Sequence, residues 1–350
     1  MNVNKYEVRF FAVGSGTKGG DAIFIRLIDE SNNTNVILID GGYQEDGGKI
    51  VKYMKVLGLD TIDVVINTHP DLDHISGLLT VFRSDLKIKK LIFNRPWRDA
   101  KMGADLFKDE RITDKSLNKR LTENFKKAYE LEQIALAKEG CEIVHPTVGN
   151  CYFDCLHVLG PTTEHYRKYL LQSDKTPTTA DGETAASFEK IVLQFKKFLG
   201  GIIPWNDALQ TSAINETSVV CWLKLPDVNF LFTGDVGKVG LKCALDRFNF
   251  ETNGRVEITH LQLPHHGSQK NINPDLLRKI GATDYFISCP PDGDTDGHPS
   301  RKLVNKILEI YPNASIQRNR ENRNFVYHSS NLPIEAVGVA CMTAYDEIED

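Results

Sequence analysis

The sequence predicts an α/β fold in which two β-sheets pack face to face and helices cover their outer sides. The first forty residues contain three strand-like segments, YEVRFFAV, DAIFIRLI and NVILID, separated by a glycine-rich turn and the polar turn SNNTN. Beyond Gly42, apolar strands alternate with amphipathic helices. The second half of the chain repeats this order, which indicates two similar layers of strand and helix.

The individual elements follow from the spacing of apolar residues. We expect a helix around residues 49–57, a strand at 62–68, a helix from about Ile75 and a strand at 88–94. In the second half, TSVVCWLKL and NFLFTG predict paired strands, and a helix follows at about 237–248. The segments VEITHLQLP, PDLLRKI, DYFISCP and RKLVNKILEIY then alternate strand and helix, and strands near ASIQRN and NFVYHS complete the pattern.

The middle of the chain is predicted to be an insertion. Residues 99–140 are polar, with apolar side chains three or four positions apart, a spacing typical of helices. Two short strands, CEIVHP and YFDCLHVLG, follow. Residues 161–213 combine the polar run SDKTPTTADGET with a helix, so they form either a cover over the site or a decoration of the fold. We therefore predict one domain over residues 1–350, with a helical insertion around residues 97–213.

Length and charge limit the kind of partner. With 350 residues and a formal net charge of −5, the chain can bury a large core but lacks the basic surface that follows nucleic acid. Any phosphate recognition must therefore be local. The start MNVNKYEVRF lacks the pattern of a secretory signal, and no apolar run is long enough to span a membrane. We expect a cytoplasmic protein that does not bind membranes.

The seven cysteines predict reduced thiols. They form no CxxC pair, their number is odd, and several fall in strand-like runs such as SVVCWLKL and YFISCP. The pattern supports neither a disulfide framework nor a cysteine-type zinc site.

The segment THPDLDHISG carries the strongest chemical signal. It presents His69, Asp71, Asp73 and His74 immediately after an apolar strand. Four potential metal ligands within six residues rarely serve packing, and the turn after a strand can direct several short side chains into one space. The alternative is a polar loop in which Asp73 caps the helix that follows.

Two further segments end apolar strands with potential ligands. LFTGDVG places Asp235 after a strand, although a GD pair at such a position is more often a turn. LQLPHHGSQ presents His265 and His266 side by side, and a surface pair is the alternative. All three segments occupy the carboxyl end of a strand, which is where open α/β sheets form their sites.

The HxDxDH, TGD and HHGS strings, in this order, resemble the metallo-β-lactamase superfamily, and specifically its ComEC/Rec2-like branch. The glycine-rich turn, DAIFI and ILIDGG are similar to that branch's VGxGDA and LIDGG segments. Asn215 and Ser218, in NETSVV, and His298, in GHPS, extend the match, which spans roughly residues 6–310 and is loose over 97–213. The resemblance implies a four-layer αββα sandwich that forms one catalytic domain.

The resemblance also implies a site for two divalent metal ions. Its ligands form three sets: His69, Asp71 and Asn215 for one ion, Asp73, His74 and His265 for the other, and Asp235 as the bridge. Asp71 and Asn215 stand where the superfamily usually has histidine, although the ComEC-like branch often has aspartate at the first of these positions. Either histidine of the pair could be the ligand, and the similarity of PHHGS to the PHxGT-type motif of some relatives favours His265.

The composition of this ligand set bears on the metal and on the chemistry. Three aspartates, one asparagine and no cysteine form an oxygen-rich site that suits manganese first and zinc second. Two metal ions would activate a water molecule without a protein nucleophile. The predicted catalytic residues are Asp73, at the activated centre, and His266 and His298, which would bind phosphate or protonate the leaving group. For His298, a role at the start of the following helix is an equal alternative.

Phosphodiester cleavage, by a phosphodiesterase or nuclease, is the predicted function, because the ComEC-like branch is associated with nuclease activity. The acidic charge keeps a small nucleotide as an alternative substrate to DNA or RNA, and the fold also acts on non-phosphate esters. A catalytically degenerate regulatory module is a further alternative.

The turn GSGTKGGD lacks the GKS or GKT ending of a nucleotide-binding loop, so Asp21 is interpreted as a structural residue.

Overall fold

Two β-sheets of seven strands each form the centre of the protein. The structure, a computed structural model, describes residues 2–14, 19–98, 113–173, 207–289, 297–318 and 325–329. In chain order, the strands are β1 (Val3–Phe10), β2 (Ile23–Asp29), β3 (Thr34–Ile39), β4 (Thr61–Ile62), β5 (Val64–Ile66), β6 (Lys87–Ile88), β7 (Lys90–Ile92), β8 (Glu142–Val144), β9 (Cys151–Tyr152), β10 (Leu156–Gly160), β11 (Val220–Lys224), β12 (Asn229–Phe232), β13 (His260–Gln262), β14 (Asp284–Ile287), β15 (Ser315–Arg318) and β16 (Phe325–His328).

Each sheet combines an antiparallel part with a parallel part. The first sheet has the order β16-β1-β2-β3-β5-β7-β8, in which β1 to β3 are antiparallel and β3, β5, β7 and β8 are parallel. The second has the order β15-β14-β13-β12-β11-β10-β9, in which β10 to β12 are antiparallel and β12 to β15 are parallel. The strand β16 returns to pair with β1. This is the repeated arrangement that the sequence predicts.

Helices cover the outer face of each sheet. In chain order, they are α1 (Gln44–Val56), α2 (Leu72–Arg83), α3 (Asp114–Asn124), α4 (Lys126–Ala137), α5 (Thr163–Gln172), α6 (Lys238–Thr252), α7 (Pro274–Ile280) and α8 (Arg301–Ile310). Among the helices of the described residues, none combines the length and the apolar character needed to cross a membrane.

Three apolar layers separate the sheets and helices. One, which includes Phe24 and Leu78, lies between the first sheet and α1, α2 and α4. The second lies between the two sheets, where Phe10 stacks on Phe286 with ring centroids 4.8 Å apart. The third, which includes Leu241, lies between the second sheet and α6, α7 and α8. The four-layer αββα sandwich predicted from the sequence is confirmed.

Part of the range predicted as an insertion belongs to the two sheets. The strand β8 pairs with β7 at the edge of the first sheet, and β9 and β10 form the edge of the second. All three strands fall within residues 97–213. The helix predicted at residues 185–201 lies outside the described residues.

Helix α2 begins at Leu72, earlier than the predicted start near Ile75, so Asp73 and His74 lie in its first turn. Its cap position is Asp71, whose side chain makes no capping hydrogen bond. Helix capping by Asp73 therefore does not account for the carboxylates of this segment.

A close contact between glycines fixes the position of α2. The N–H of Gly41 donates to the carbonyl oxygen of His74 at 2.8 Å, and the N–H of Gly77 donates to that of Gly42 at 2.8 Å. A Cβ at Gly77 would lie 1.8 Å from the carbonyl oxygen of Gly41. The first turns of α2 are thus held against the end of β3, and His74 is held with them.

Replacement of Gly77 by alanine is expected to lower the free energy of unfolding by about 1–3 kcal/mol, the usual cost of forcing extra atoms into a packed contact. Gly48, in α1, provides the matched control, because nothing lies within 4 Å of a Cβ added there. Gly48→Ala should be neutral or stabilise by up to about 1 kcal/mol, since alanine is the better helix former. Urea unfolding measures both effects, and a Gly77→Ala midpoint equal to that of the wild type would contradict the contact.

Candidate metal centre

The three ligand-bearing segments meet at the carboxyl ends of parallel strands from both sheets, one after β5, one after β12 and one after β13. Backbone hydrogen bonds join the ends. The N–H of Val219 donates to the carbonyl oxygen of Thr68 at 3.0 Å, and the N–H of His265 donates to that of Gly234 at 3.1 Å. Gly234 has a φ of +49°, and a Cβ there would lie 2.9 Å from the Thr68 side chain. Glycine therefore permits the two sheet ends to approach each other.

Both residues of the histidine pair have a left-handed backbone conformation. His265 has φ 50° and ψ 57°, and His266 has φ 55° and ψ 29°. Residues other than glycine rarely adopt this region, and strain of this kind costs of the order of 1–3 kcal/mol per residue. The surroundings must impose this turn, and it directs both imidazoles toward the aspartates at the other strand ends.

The two carboxylate oxygens of Asp235 face two different groups of side chains. Its Oδ2 lies 3.5 Å from Nε2 of His69 and 3.7 Å from Nε2 of His265. The same Nε2 of His69 lies 3.6 Å from Oδ2 of Asp71. We call His69, Asp71 and His265 the first donor group.

The other oxygen of Asp235 faces the second donor group, which consists of Asp73, His74 and His266. Oδ1 of Asp235 lies 3.4 Å from Nε2 of His74. Within the group, Oδ2 of Asp73 lies 3.5 Å from Nε2 of His74 and 3.2 Å from Nε2 of His266. One carboxylate therefore lies between two groups of imidazole and carboxylate side chains.

Three potential ligand atoms of these groups are buried and lack a hydrogen-bond partner. Nε2 of His69, Nε2 of His74 and Oδ1 of Asp235 have no hydrogen-bond partner among the described residues. Buried polar atoms of this kind are costly unless something satisfies them. Most neighbouring donors are 3.4–3.7 Å apart. That spacing resembles the roughly 3.4 Å between tetrahedral ligands whose bonds to one metal ion are about 2.1 Å long.

Several combinations of these side chains can hold a divalent ion. Four sets of three residues offer ligand atoms within 4.8 Å of one another: His69, His74 and Asp235; Asp73, His74 and His266; Asp21, Asp40 and His74; and Asp21, Asp235 and His266. The second donor group is one of these sets, and the first donor group is not. The buried, unsatisfied donors around His74 and Asp235 thus fit a metal ion of the kind that the resemblance implies.

Asp40 orients two of the histidines. Its Oδ2 accepts hydrogen bonds from Nδ1 of His74 at 2.8 Å and from the hydroxyl of Thr68 at 2.5 Å. Because the Thr68 hydroxyl donates to Asp40, it can accept from Nδ1 of His69, which lies 3.0 Å away. Both imidazoles are therefore held by Nδ1, and Nε2 is the ring nitrogen that faces Asp235 and would bind a metal ion.

Asn271 orients His265 in the same way. Its amide nitrogen donates to the carbonyl oxygens of Asp235, at 2.8 Å, and of Val236, at 3.2 Å. Its Oδ1 lies 3.3 Å from Nδ1 of His265 and so contacts the side of the imidazole away from Asp235. Nε2 of His265 is the ring nitrogen that faces Asp235.

Asn215, which the resemblance implies as a ligand, lies behind the first donor group. Its Nδ2 is 3.2 Å from Nδ1 of His265, on the side of the imidazole away from Asp235. Its Oδ1, the amide atom that could bind a cation, accepts from the hydroxyl of Ser212 at 2.7 Å. Its Nδ2 also donates to Thr211 at 2.9 Å.

His298, predicted as catalytic, lies beside the centre. Its ring is buried, and the centroid lies 5.0 Å from that of His265. The residue that caps the start of α8 is Ser300, whose side chain accepts a hydrogen bond from the N–H of Leu303. His298 is therefore placed close to the paired histidines without serving as the helix cap.

Asp21, which sequence reasoning interpreted as structural, is a further carboxylate of the site. It is buried, and its Oδ2 accepts from Nε2 of Gln262 at 2.6 Å and lies 3.9 Å from Nδ1 of His74. Its Oδ1 is buried without a hydrogen-bond partner among the described residues. The signal in the sequence was weak: a carboxylate between a glycine-rich turn and an apolar strand has no helix to cap.

The charges of the centre shift the pKa values of its members in opposite directions. Burial alone would lower the pKa of His74, but the carboxylates of Asp235, Asp73 and Asp40 raise it well above its usual value. Burial also opposes protonation of His266, yet Asp235 and Asp73 raise its pKa to about 9. Burial would raise the pKa of Asp235, whereas the surrounding imidazoles lower it well below its ordinary value. Asp235 is thus ionised at neutral pH, and a metal ion would displace protons from His74 and His266.

Part of the chain is similar to a known family of proteins. Residues 16–149 match the family model of the metallo-beta-lactamase superfamily. The match covers less than half of the chain, and it includes the segment that carries His69, Asp71, Asp73 and His74. The resemblance to the ComEC/Rec2-like branch stays a prediction.

Solved structures with a similar fold are distant in sequence. One is a diphosphatase from the PhnP family, which is 12% identical. The match covers 93% of this chain and 98% of the diphosphatase, with a TM-score of 0.41. Another is a long form of RNase Z from yeast, which is 10% identical; here the match covers 81% of this chain and 37% of the RNase Z chain, with a TM-score of 0.38. A comparison with curated proteins finds no match. Likeness of this degree has no bearing on the substrate.

Replacement of Asp40 by asparagine is expected to weaken metal binding by about 10- to 100-fold, because the histidines lose the carboxylate that fixes their protonated nitrogen. Competition with a chromophoric chelator, using manganese and zinc in turn, measures the change. Asp63→Asn is the matched control. Asp63 is a largely buried carboxylate immediately before β5; it accepts from the backbone N–H of Val36 and forms an ion pair with the side chain of Lys89. An equal loss of affinity in both variants would show a general effect on the fold and not an effect through the histidines.

Proposed function

We propose that this protein is a metal-dependent hydrolase that uses two divalent ions and cleaves phosphodiesters. The observation that carries the proposal is Asp235, whose two oxygens face two different donor groups. A carboxylate shared in this way suits a two-metal hydrolytic site, because it can hold two ions close together. When bound, the two ions would lower the pKa of a shared water molecule toward about 7 and stabilise charge on the attacking and leaving oxygens.

We assign the first donor group to one ion, the second donor group to the other, and Asp235 to both. This assignment differs from the set implied by the resemblance at two positions. His265 takes the place of Asn215, because Nε2 of His265 faces Asp235 whereas Oδ1 of Asn215 is engaged by Ser212. His266 takes the place of His265, because its Nε2 lies 3.2 Å from Asp73.

The ligand set bears on the identity of the ions. Three aspartates supply hard oxygen donors that suit manganese, while four imidazoles also suit zinc. Asp21 lies close enough to Asp235 and His266 to add a fourth carboxylate. Manganese is therefore the first ion to test and zinc the second.

His298 is the residue that we assign to the substrate. It is buried next to His265 and is not the cap of α8. From this position it would bind a phosphoryl oxygen or protonate the leaving group. The net charge of −5 limits phosphate contacts to such local groups, which keeps a small nucleotide beside DNA and RNA as a substrate.

The manganese-loaded protein should hydrolyse bis-p-nitrophenyl phosphate and at least one member of a panel of single-stranded DNA, double-stranded DNA, RNA and cyclic dinucleotides. Asp73→Ala and Asp235→Asn should each lower kcat/KM by a factor on the order of a thousand, because each removes a charged group from the reacting centre. Release of nitrophenol and separation of the nucleotide products measure these effects.

The matched control is Asp60→Asn, which removes a carboxylate that is exposed and paired with Lys87. It should retain wild-type rates. Unchanged activity in Asp73→Ala would refute the proposed site. Cleavage of a carboxylic ester together with no cleavage of any phosphodiester would assign the site to another substrate class.

The assignment of ligands has its own test, which does not depend on activity. His265→Gln and His266→Gln should each reduce the metal content after dialysis from two equivalents per chain to one, because each removes one imidazole from a donor group. Asn215→Ala should keep two equivalents. Elemental analysis of the folded variants gives these numbers. Loss of one equivalent in Asn215→Ala with no loss in His265→Gln would favour the ligand set that the resemblance implies.

A further inference from the structure

The edge of the second sheet carries a second cluster of reactive side chains, which shares no residue with the metal centre. Sγ of Cys151 lies 3.6 Å from Nε2 of His157. Nδ1 of the same imidazole lies 3.3 Å from Oε2 of Glu251, and Oε1 of Glu251 accepts from Nε of Arg247 at 2.6 Å. A thiol, an imidazole and a carboxylate are thus aligned as nucleophile, base and orienting acid.

The register of three strands creates this alignment. Cys151 on β9 is the cross-strand partner of His157 on β10, and His157 is the partner of Trp222 on β11. Cross-strand partners place their side chains on the same face of a sheet. The β9–β10 turn holds Phe153 and Asp154 in left-handed conformations, with φ of 55° and 57°, which is typical of a tight hairpin and fixes that register.

Packing holds the imidazole in place. The ring of His157 stacks on Trp222, with centroids 4.4 Å apart and an interplanar angle of 23°. Nε1 of Trp222 donates to Asn229 at 3.1 Å, and its ring meets the edge of Phe248 from α6. The last turns of α6 also supply Glu251. The base therefore has a fixed orientation, while the thiol on the edge strand is exposed.

Burial keeps the resting thiol and imidazole neutral. Burial lowers the pKa of His157, with Glu251 and Lys224 acting in opposite directions. Burial raises the pKa of the Cys151 thiol, and the carboxylates of Asp154 and Glu251 raise it further. A neutral imidazole therefore has a lone pair available on Nε2 for the proton of the thiol.

We propose that Cys151 is the nucleophile of a second reactive site, which is separate from the candidate metal centre. His157 is its general base, Glu251 positions the His157 imidazole, and small soluble disulfides are the reaction partners. Sγ of Cys151 attacks one sulfur of the disulfide while its proton passes to Nε2 of His157. The disulfide bond breaks, its electron pair leaves on the second sulfur, and the imidazolium returns the proton to that thiolate. Cys151 is oxidised to a mixed disulfide, and the reagent is reduced to one thiol.

A small disulfide is the partner that the exposure of the site favours. Cys151 lies on a two-residue edge strand, where a small reagent can approach the sulfur directly. A neutral thiol with a raised pKa reacts slowly with disulfides unless a base removes its proton during the attack. The cluster supplies that base.

The test is the rate of reaction of the full-length protein with dithiobis(nitrobenzoate), with the modified cysteine identified by peptide mass spectrometry. At about pH 7, Cys151 should react at least about tenfold faster than N-acetylcysteine, a free thiol with no base beside it. His157→Gln should slow Cys151 on the order of 100-fold and leave unchanged the rate of Cys243, the other cysteine that is exposed among the described residues. Above the raised pKa of the Cys151 thiol, the two proteins should converge, because the thiol then ionises without help.

Glu251→Gln separates positioning from folding, because Glu251 lies at the partly exposed end of α6. It should slow Cys151 by about tenfold at neutral pH, and Glu251→Asp should restore part of the rate. The matched control, Asp246→Asn, removes an equal charge from the same helix, where Asp246 pairs with Lys242. Equal rates for Cys151 and N-acetylcysteine would overturn the proposal, as would a Cys151 rate that is unchanged in both His157→Gln and Glu251→Gln.

Discussion

Thr68 joins the two sheets beside the candidate metal centre. Its carbonyl oxygen accepts from the N–H of Val219, in the second half of the chain, at 3.0 Å, and its side chain lies 2.9 Å from the position that a Cβ at Gly234 would occupy. Its hydroxyl donates to Asp40 at 2.5 Å and can then accept from His69 at 3.0 Å. The residue that brings the strand ends together therefore also orients His69. Sheet packing and the geometry of the candidate centre depend on the same residue, so a change in one disturbs the other.

The sequence predicts the fold well because its signals are local and repeated. Strand-like runs followed by alternating strands and helices, in both halves, are enough to indicate two similar layers, and the structure has two sheets with the same order of antiparallel and parallel strands. The clustering of His69, Asp71, Asp73 and His74 is equally local. The meeting of these residues with Asp235 and the histidine pair follows from the rule that sites form at the carboxyl ends of parallel strands. Sequence reasoning therefore found the segments of the centre without knowledge of any long-range contact.

What the sequence does not specify is the direction of individual side chains. His265 and His266 are adjacent, and only their two successive left-handed residues, φ 50° and 55°, bring one toward each donor group. Asp21 and Asp40 lie in the segments DAIFI and ILIDGG, but their roles depend on contacts with Gln262 and His74 farther along the chain. The strands β8 to β10 were included in the predicted insertion because they are short and follow a polar helical stretch. Their place at the sheet edges is set by pairing, which composition does not record.

The two histidine clusters show how one side chain supports two chemistries. In both, a hydrogen-bond acceptor holds Nδ1 and leaves Nε2 for the reacting partner: Asp40 for His74, and Glu251 for His157. The difference lies in the surrounding charge. His74 faces several carboxylates, which raise its pKa and gather more negative charge than the imidazoles balance, so the cluster is suited to cations. His157 faces a single carboxylate, that of Glu251, which also accepts a hydrogen bond from Arg247. Burial lowers the pKa of His157, so His157 stays a neutral base. The number of uncompensated carboxylates, more than the imidazole itself, decides whether such a cluster holds a metal ion or moves a proton.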